Sequence, residues 1–275
     1  MAKISIIIPA YNSAVFIIPC LDSVFSQITP GIEVILIDDN SKDNTIGLVR
    51  NKYPQVKIIA NKTNLGASAS RNQGLVIAEG DWIITLDCDI ILQNNFLKQV
   101  AELINTLPEQ IGSVQFKILQ SNKNKIYSAG IKRSFLNRFH DIHRGSTEGF
   151  DTNKDIFGAC CAAALYRRKM LEEVKDKYGY FDERLFFLFE DADLAWRAQK
   201  KGWRCLYYPR ATCFHHGNSS LTDRETRQYL SFRNRQLSIL KNESPLLILL
   251  KLPFYLIYDL PRALILFKQI SKTIR

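Results

Sequence analysis

Through the first hundred residues, short runs of β-branched and aliphatic residues alternate with longer polar stretches, the pattern of a parallel sheet joined by crossover helices. Ile4–Ile8, Glu33–Ile37, Val56–Ala60 and Trp82–Leu86 read as strands. Ala14–Gln27, Asp43–Asn51 and Gly66–Glu79 read as helices, the last opened by the turn Asn64-Leu65-Gly66. The polar clusters fall just past strand ends: Pro9-Ala10-Tyr11-Asn12, Asp38-Asp39-Asn40-Ser41 and Asp87-Cys88-Asp89. In an open α/β sheet ligands bind at that edge, because strand carboxyl ends and helix N-termini converge there.

Beyond a helix expected at Phe96–Leu107 the periodicity weakens, and Asn122–Lys125 reads as a long loop or hairpin. Phe157–Tyr166 is rich in small residues, as where backbones or a ligand approach closely. Ala192–Lys200 reads as a helix preceded by Phe189-Glu190-Asp191, and Arg204–Tyr208 as a strand ending at Pro209. Thr222–Leu240 is expected to be a basic helix. Pro245–Phe267 is strongly apolar, yet it carries Lys251, Asp259 and Arg262, and Pro253 and Pro261 are expected to cut it into short pieces. A membrane-crossing helix wants about twenty residues nearly free of charge, so short segments lying in the membrane interface are the expectation, with a buried appendage or an oligomer contact as the alternatives.

The chain of 275 residues is 46% hydrophobic and 23% charged, enough to bury a substantial core, which excludes disorder as the main reading. Its net charge of +10 makes an anion the default partner. The excess is localised: Lys117–Arg144 holds seven basic residues against Asp141 alone, and Thr222–Arg275 holds ten against four acids. What remains is slightly acidic, which argues against a nucleic-acid-binding surface. The six cysteines form no CxxC pair and no zinc-ligand spacing, so a reducing cytoplasm is expected, and the opening apolar run is too short for a signal-peptide core.

Asp87 and Asp89 alternate at a strand end, where one or both carboxylates can face a hard divalent ion such as Mg²⁺ or Mn²⁺. The bland reading is an Asx turn. A second acidic strand end at Asp39, an aromatic at Tyr11, and a glycine turn leading to Arg71 favour a nucleotide pocket instead.

In this order the motifs resemble the inverting nucleotide-sugar glycosyltransferases of family 2. They are Ser5-Ile6-Ile7-Ile8-Pro9-Ala10-Tyr11-Asn12, Ile37-Asp38-Asp39-Asn40-Ser41, Asn64-x-Gly66-x4-Arg71-Asn72, and Leu86-Asp87-x-Asp89. The likeness continues through Phe157-Gly158-Ala159-Cys160, Gly179-Tyr180-Phe181-Asp182-Glu183, Phe189-Glu190-Asp191-Ala192-Asp193-Leu194 and Phe214-His215-His216-Gly217, and looks most like the rhamnosyltransferase-type members. It implies an α/β GT-A fold, a Rossmann-like mixed sheet flanked by helices. Residues 1–218 would form the catalytic domain, with 1–100 the nucleotide-sugar-binding half and 101–218 the acceptor half; residues 219–275 would be a helical, membrane-associating extension.

The resemblance also implies roles. Asp39 would hold the base, with Pro9, Ala10 and Tyr11 lining its pocket and Arg71 beside base or diphosphate. Asp87 would contact the ribose or the metal shell, Asp89 would ligate Mn²⁺ or Mg²⁺, and Asp191 would be the general base, kept ionised by a helix dipole. His215 would be a further ligand, with His216 the close alternative. Glu190 and Arg233 are acceptor-side candidates. The implied donor is a UDP- or dTDP-linked sugar and the acceptor a glycan or lipid-linked glycan. The protein would sit in the cytoplasm on the inner face of the cell membrane, held to anionic lipid, without a nucleic-acid partner. Two rivals remain at this point. A sugar-nucleotide pyrophosphorylase would carry a Gly-rich loop near the start, and Ile8–Phe16 has no glycine; an inactive scaffold of the same fold would have lost Asp89 or Asp191, and both are present.

Overall fold

The computed structural model describes residues 3–121, 123–147, 151–217 and 222–273. In chain order the elements are β1 (Ile4–Ala10), α1 (Ile17–Phe25), β2 (Ile32–Asp38), α2 (Thr45–Lys52), β3 (Lys57–Ala60), α3 (Gly66–Ile77) and β4 (Trp82–Leu86). Next come β5 (Ile90–Leu92), α4 (Phe96–Ile104), β6 (Ile111–Gln120), β7 (Lys123–Ser128), β8 (Ile131–Arg133) and β9 (Phe139–Asp141). The chain closes with β10 (Lys154–Ile156), β11 (Ala163–Arg167), α5 (Arg168–Val174), α6 (Glu190–Lys200), β12 (Arg204–His215), α7 (Arg224–Asn242) and α8 (Pro245–Thr273).

One mixed sheet runs in the order β10-β12-β6-β11-β4-β1-β2-β3, with β5 and β7 paired to its flank. β1 pairs in parallel with both β2 and β4. The apolar runs arise because both faces of these strands are covered: Ile6, Ile8, Leu36 and Ile84 pack into one buried cluster, while their neighbours Ile7, Ile35, Ile37 and Ile83 pack into the other. Each such side chain contributes about 1.5–3 kcal/mol by leaving water. Asn122 lies outside the described residues, but the strands around it pair antiparallel, so the basic stretch is a hairpin.

Two proline expectations are corrected. β12 does not end at Pro209; it runs to His215 across a register shift between Tyr208 and Thr212, and a bulge of this kind accommodates a residue without an N–H donor. Likewise Pro253 and Pro261 do not cut the tail, because α8 continues through both. Pro245 opens the helix, where its fixed φ suits the first turn.

The pattern of α8 is inverted relative to a soluble helix. Lys251 and Asp259 are buried, the former on Glu243 (2.7 Å) and the latter on Arg235 of α7 through both carboxylate oxygens (2.8 Å each). Leu246, Leu249, Leu250, Phe254, Leu256, Ile257, Leu260, Leu264 and Ile265 are exposed. At about 100° per residue these positions, together with the exposed Leu247, Leu252 and Tyr258, cover roughly two-thirds of the circumference. Phe135, 69% exposed in the turn between β8 and β9, packs edge-on against Phe254 and extends this face. Among the described residues, no helix is long and apolar enough to cross a membrane.

Candidate active site

A cleft of about 650 Å³ opens along the carboxyl ends of β1, β2 and β4. Pro9, Ala10, Tyr11, Asp39, Arg71 and Asp87 line it together with Glu190, Asp191 and His215. Most of the sequence-derived candidates therefore share one cavity.

Asp39 follows β2 directly and its backbone N–H bonds to the Ala10 carbonyl (2.8 Å), which fixes it beside the end of β1. Its buried carboxylate accepts from Asn61 Nδ2 (2.9 Å) and from the backbone N–H of Leu65 and Gly66 (2.8 Å each). Asp39 thus builds the turn that starts α3 as well as facing the cleft. Gly66 is required there: its φ is +86°, and an added Cβ would lie 2.5 Å from the carbonyl oxygen of Phe186.

Arg71 does not extend freely toward a ligand. Its buried guanidinium bridges Glu190 Oε1 (2.7 Å) and Asp87 Oδ1 (2.8 Å), tying the turn of α6 to the end of β4. Burial pushes the Asp87 carboxyl up, and Arg71 opposes that shift.

His215 reaches the acidic strand end through strand register. β12 pairs with β5 so that His215 stands opposite Ile90, next to Asp89 in the chain. His215 Nε2 lies 3.0 Å from Asp89 Oδ1, and its ring stands edge-on to Tyr127 at 4.1 Å between centroids. His216 turns away, with its ring 5.6 Å from Phe16. Donor atoms of Asp87, Asp89 and His215 all lie within 4.8 Å of one another. The buried His215 Nδ1 and Glu190 Oε2 have no hydrogen-bond partner among the described residues. Two carboxylates and an imidazole with unmet buried donors fit a divalent cation.

Asp191 lies in the first turn of α6 and its Oδ1 accepts its neighbour Ala192 N–H (2.8 Å). The helix end does not keep it strongly ionised, contrary to expectation. Burial and the adjacent Glu190, reinforced by Asp141, raise its carboxyl to about 7, with Arg71 and the Ala192 N–H pulling the other way. Desolvation outweighs the dipole here.

Arg233 is not brought to the cleft lining; its Nη2 donates to the Arg184 carbonyl (2.8 Å). Sequence reading missed a wall formed by Phe186, Phe187, Leu188 and Phe189, and the contributions of Tyr127, Asp141, Arg144 and Arg227. Arg144 pairs with Asp141 (2.8 Å) and lies over the Tyr127 ring. The charged 117–144 stretch was the available signal for Arg144 and Asp141; the aromatic wall had none beyond its nearness to Glu190-Asp191.

With this geometry in view, residues 5–175 match the model of glycosyl transferase family 2, and the chain belongs to that family. An uncharacterised glycosyltransferase of Haemophilus influenzae is 36% identical over 141 residues, which are 50% of this chain and 56% of that protein. The chain thus spans little more than half of that relative. The amylovoran biosynthesis glycosyltransferase AmsB of Erwinia amylovora is 27% identical over 77% of this chain and 69% of its own length. Among solved structures, the mannosyltransferase PcManGT of Pyrobaculum calidifontis, in complex with GDP-Man and Mn²⁺, aligns with a TM-score of 0.62 at 17% identity, over 96% of this chain and 72% of that one. TarS of S. aureus (residues 1–349) aligns at 0.59 and 22% identity, over 88% and 66%. These likenesses show the fold, a mixed α/β glycosyltransferase architecture.

Proposed function

We propose that the protein is an inverting glycosyltransferase that moves a sugar from a nucleotide-diphosphate donor to an acceptor hydroxyl in polysaccharide or lipid-linked glycan synthesis. The observation that carries this reading is the cleft lined by Asp39, Asp87, His215 and Asp191, with the buried Asp89 offering an oxygen within 4.8 Å of Asp87 and His215. Asp39, Pro9, Ala10 and Tyr11 bind the nucleoside; a UDP- or dTDP-linked sugar fits the reading, and the structures of TarS with UDP-GlcNAc and of PcManGT with GDP-Man support a nucleotide sugar in general. Asp87, Asp89 and His215 would hold Mn²⁺ or Mg²⁺, which supplies charge neutralisation for the leaving diphosphate.

Asp191 accepts the acceptor hydroxyl's proton as the oxygen bonds to the sugar C1, and the bond from C1 to the diphosphate oxygen breaks on the opposite face. One displacement from the face opposite the leaving group inverts the centre, and a carboxylate titrating near neutrality is matched to a base's task. Arg71 holds Asp87 and Glu190 in place and leaves Asp191 as the carboxylate next to them without a guanidinium partner at bonding distance among the described residues.

The inverted α8 supports attachment to an anionic membrane surface. A single partner helix covers one side, whereas lipid covers an apolar face of this breadth. Pro253 and Pro261 leave carbonyls one turn back without their helical donors, groups that water at a membrane interface would satisfy. Flotation with anionic vesicles should retain the full chain and release one ending at residue 242.

The deciding measurement is release of nucleoside diphosphate from a panel of nucleotide sugars with Mn²⁺ or Mg²⁺. Asp191→Asn should keep nucleotide binding and lower transfer about a thousandfold. Transfer at the wild-type rate by that variant would remove Asp191 as the base.

A further inference from the structure

The aromatic wall of the cleft is held in a conformation that its own sequence disfavours. Phe186, Leu188 and Phe189 have φ of 62°, 71° and 72°, in the left-handed region that bulky L residues avoid. Strain of this kind persists only where surrounding groups over-determine it. The groups that do so come from far along the chain.

Asn234, fully buried on α7, shares the two hydrogens of Nδ2 among the carbonyls of Leu185 (2.8 Å), Phe187 (2.9 Å) and Leu188 (2.8 Å). Its Oδ1 accepts from Arg233 Nε (3.0 Å), which fixes which way the amide faces. The remaining carbonyl of this stretch, on Phe186, accepts the Ser68 N–H of α3 (3.1 Å). Four successive carbonyls from 185 to 188 are therefore drawn into the body of the protein. The side chains of 186–189 line the cleft instead, and the chain enters α6 at Phe189 with Glu190 and Asp191 in its first turn.

We infer that Asn234 is a positioning residue for transfer: its amide clamps the 185–188 carbonyls, aims the aromatic wall at the acceptor and sets the approach of Asp191. This rests on the transferase reading above for its effect on turnover, but the clamp itself can be measured without it. A carboxamide is suited to the role because it offers two N–H bonds to converging carbonyls and an oxygen to the guanidinium behind it. A carboxylate of the same shape would face three carbonyl oxygens with no hydrogen to share.

The test compares full-length wild type, Asn234→Asp and, should the first fold poorly, the milder Asn234→Ser. Three readouts are taken: amide hydrogen exchange at 185–189, the thermal shift given by UDP or GDP with Mn²⁺, and the pH profile of diphosphate release from whichever nucleotide sugar the wild type consumes. The expected result is exchange at 185–189 raised at least tenfold, an unaltered nucleotide-induced shift, turnover lowered about a hundredfold, and an acid limb moved to lower pH as water reaches Asp191. A mere loss of folded protein would lower the amplitude of that profile without moving its limb. Unchanged exchange in both variants overturns the clamp, and raised exchange with wild-type turnover overturns its role in positioning. Should the wild type release diphosphate from no donor, the transferase reading fails while the exchange arm still decides whether Asn234 holds the loop.

Discussion

The two sides of the cleft are built by different means. On the donor side each chemical group directly follows its own strand: Asp39 after β2, Asp87 and Asp89 after β4, and Pro9-Ala10-Tyr11 at the end of β1. On the opposite side, the 186–189 wall and Asp191 depend on partners more than forty residues away, through Asn234 and through Lys241, whose Nζ lies 2.9, 2.8 and 3.0 Å from Asp176, Asp182 and Asp193. A strand end delivers a side chain to a fixed place as soon as the sheet forms. A loop wall has to be pinned by tertiary bonds, so it is the part more readily lost by changes outside the cleft.

The strongest test of that contrast is Lys241→Met, which leaves three carboxylates around a buried site without their shared cation. It should cost about 3 kcal/mol or more in denaturant unfolding, and loosen α6 and α7 before the β1–β4 sheet. The same cluster has an acid signature. Burial alone would raise Asp182, but Arg184 and Lys241 outweigh it and hold its carboxyl at about 2 instead of 3.8. Its folded pKa is depressed, so its contribution to stability is present above 3.8 and is lost as pH falls toward 2. A smaller effect separates Asp191 from its surroundings. Its carboxyl titrates at about 7; as the proposed base it would have to be ionised, so turnover should rise about tenfold per pH unit up to that point and level off above it. The limb should be missing from the residual activity of Asp191→Asn. The finest test lies on the donor side, between neighbours: His215→Ala should weaken cation-dependent nucleotide binding on the order of tenfold or more. His216→Ala, whose ring packs on Phe16, should change it within about twofold.

The donor side was legible in the sequence because its signals are local. Alternating apolar runs fix the strands, and the polar residue after each run is necessarily at the sheet's binding edge. His215 was harder, since its place beside Asp89 depends on the pairing of β12 with β5, yet its position near the end of a strand was a usable sign. Prolines misled in both directions along the chain: at 209 a bulge absorbs the missing donor, and at 253 and 261 the helix runs on. The level of Asp191 was misjudged because a helix dipole can be read from sequence, whereas the burial that overrides it cannot. Arg71 looked ready for a phosphate, but only the fold reveals that Asp87 and Glu190 already hold it. Asn234 carried no signal at all, since nothing in a basic helical stretch marks which amide will meet three distant carbonyls.

The charge of the cleft has the opposite sign to that of the molecule. Along its described lining Asp39, Asp87, Asp141, Glu190 and Asp191 face only Arg71, Arg144 and Arg227, while the whole chain carries +10. An anion would therefore be drawn toward the protein from a distance and resisted at the mouth of the site, because the long-range field follows net charge and the short-range field follows the nearest groups. Raising ionic strength would weaken the attraction first, since the carboxylates in the cleft are the less screened. The structure thus sorts arriving anions by what they bring: one that enters alone adds to a surplus of negative charge, and one that enters with its own counter-charge removes it.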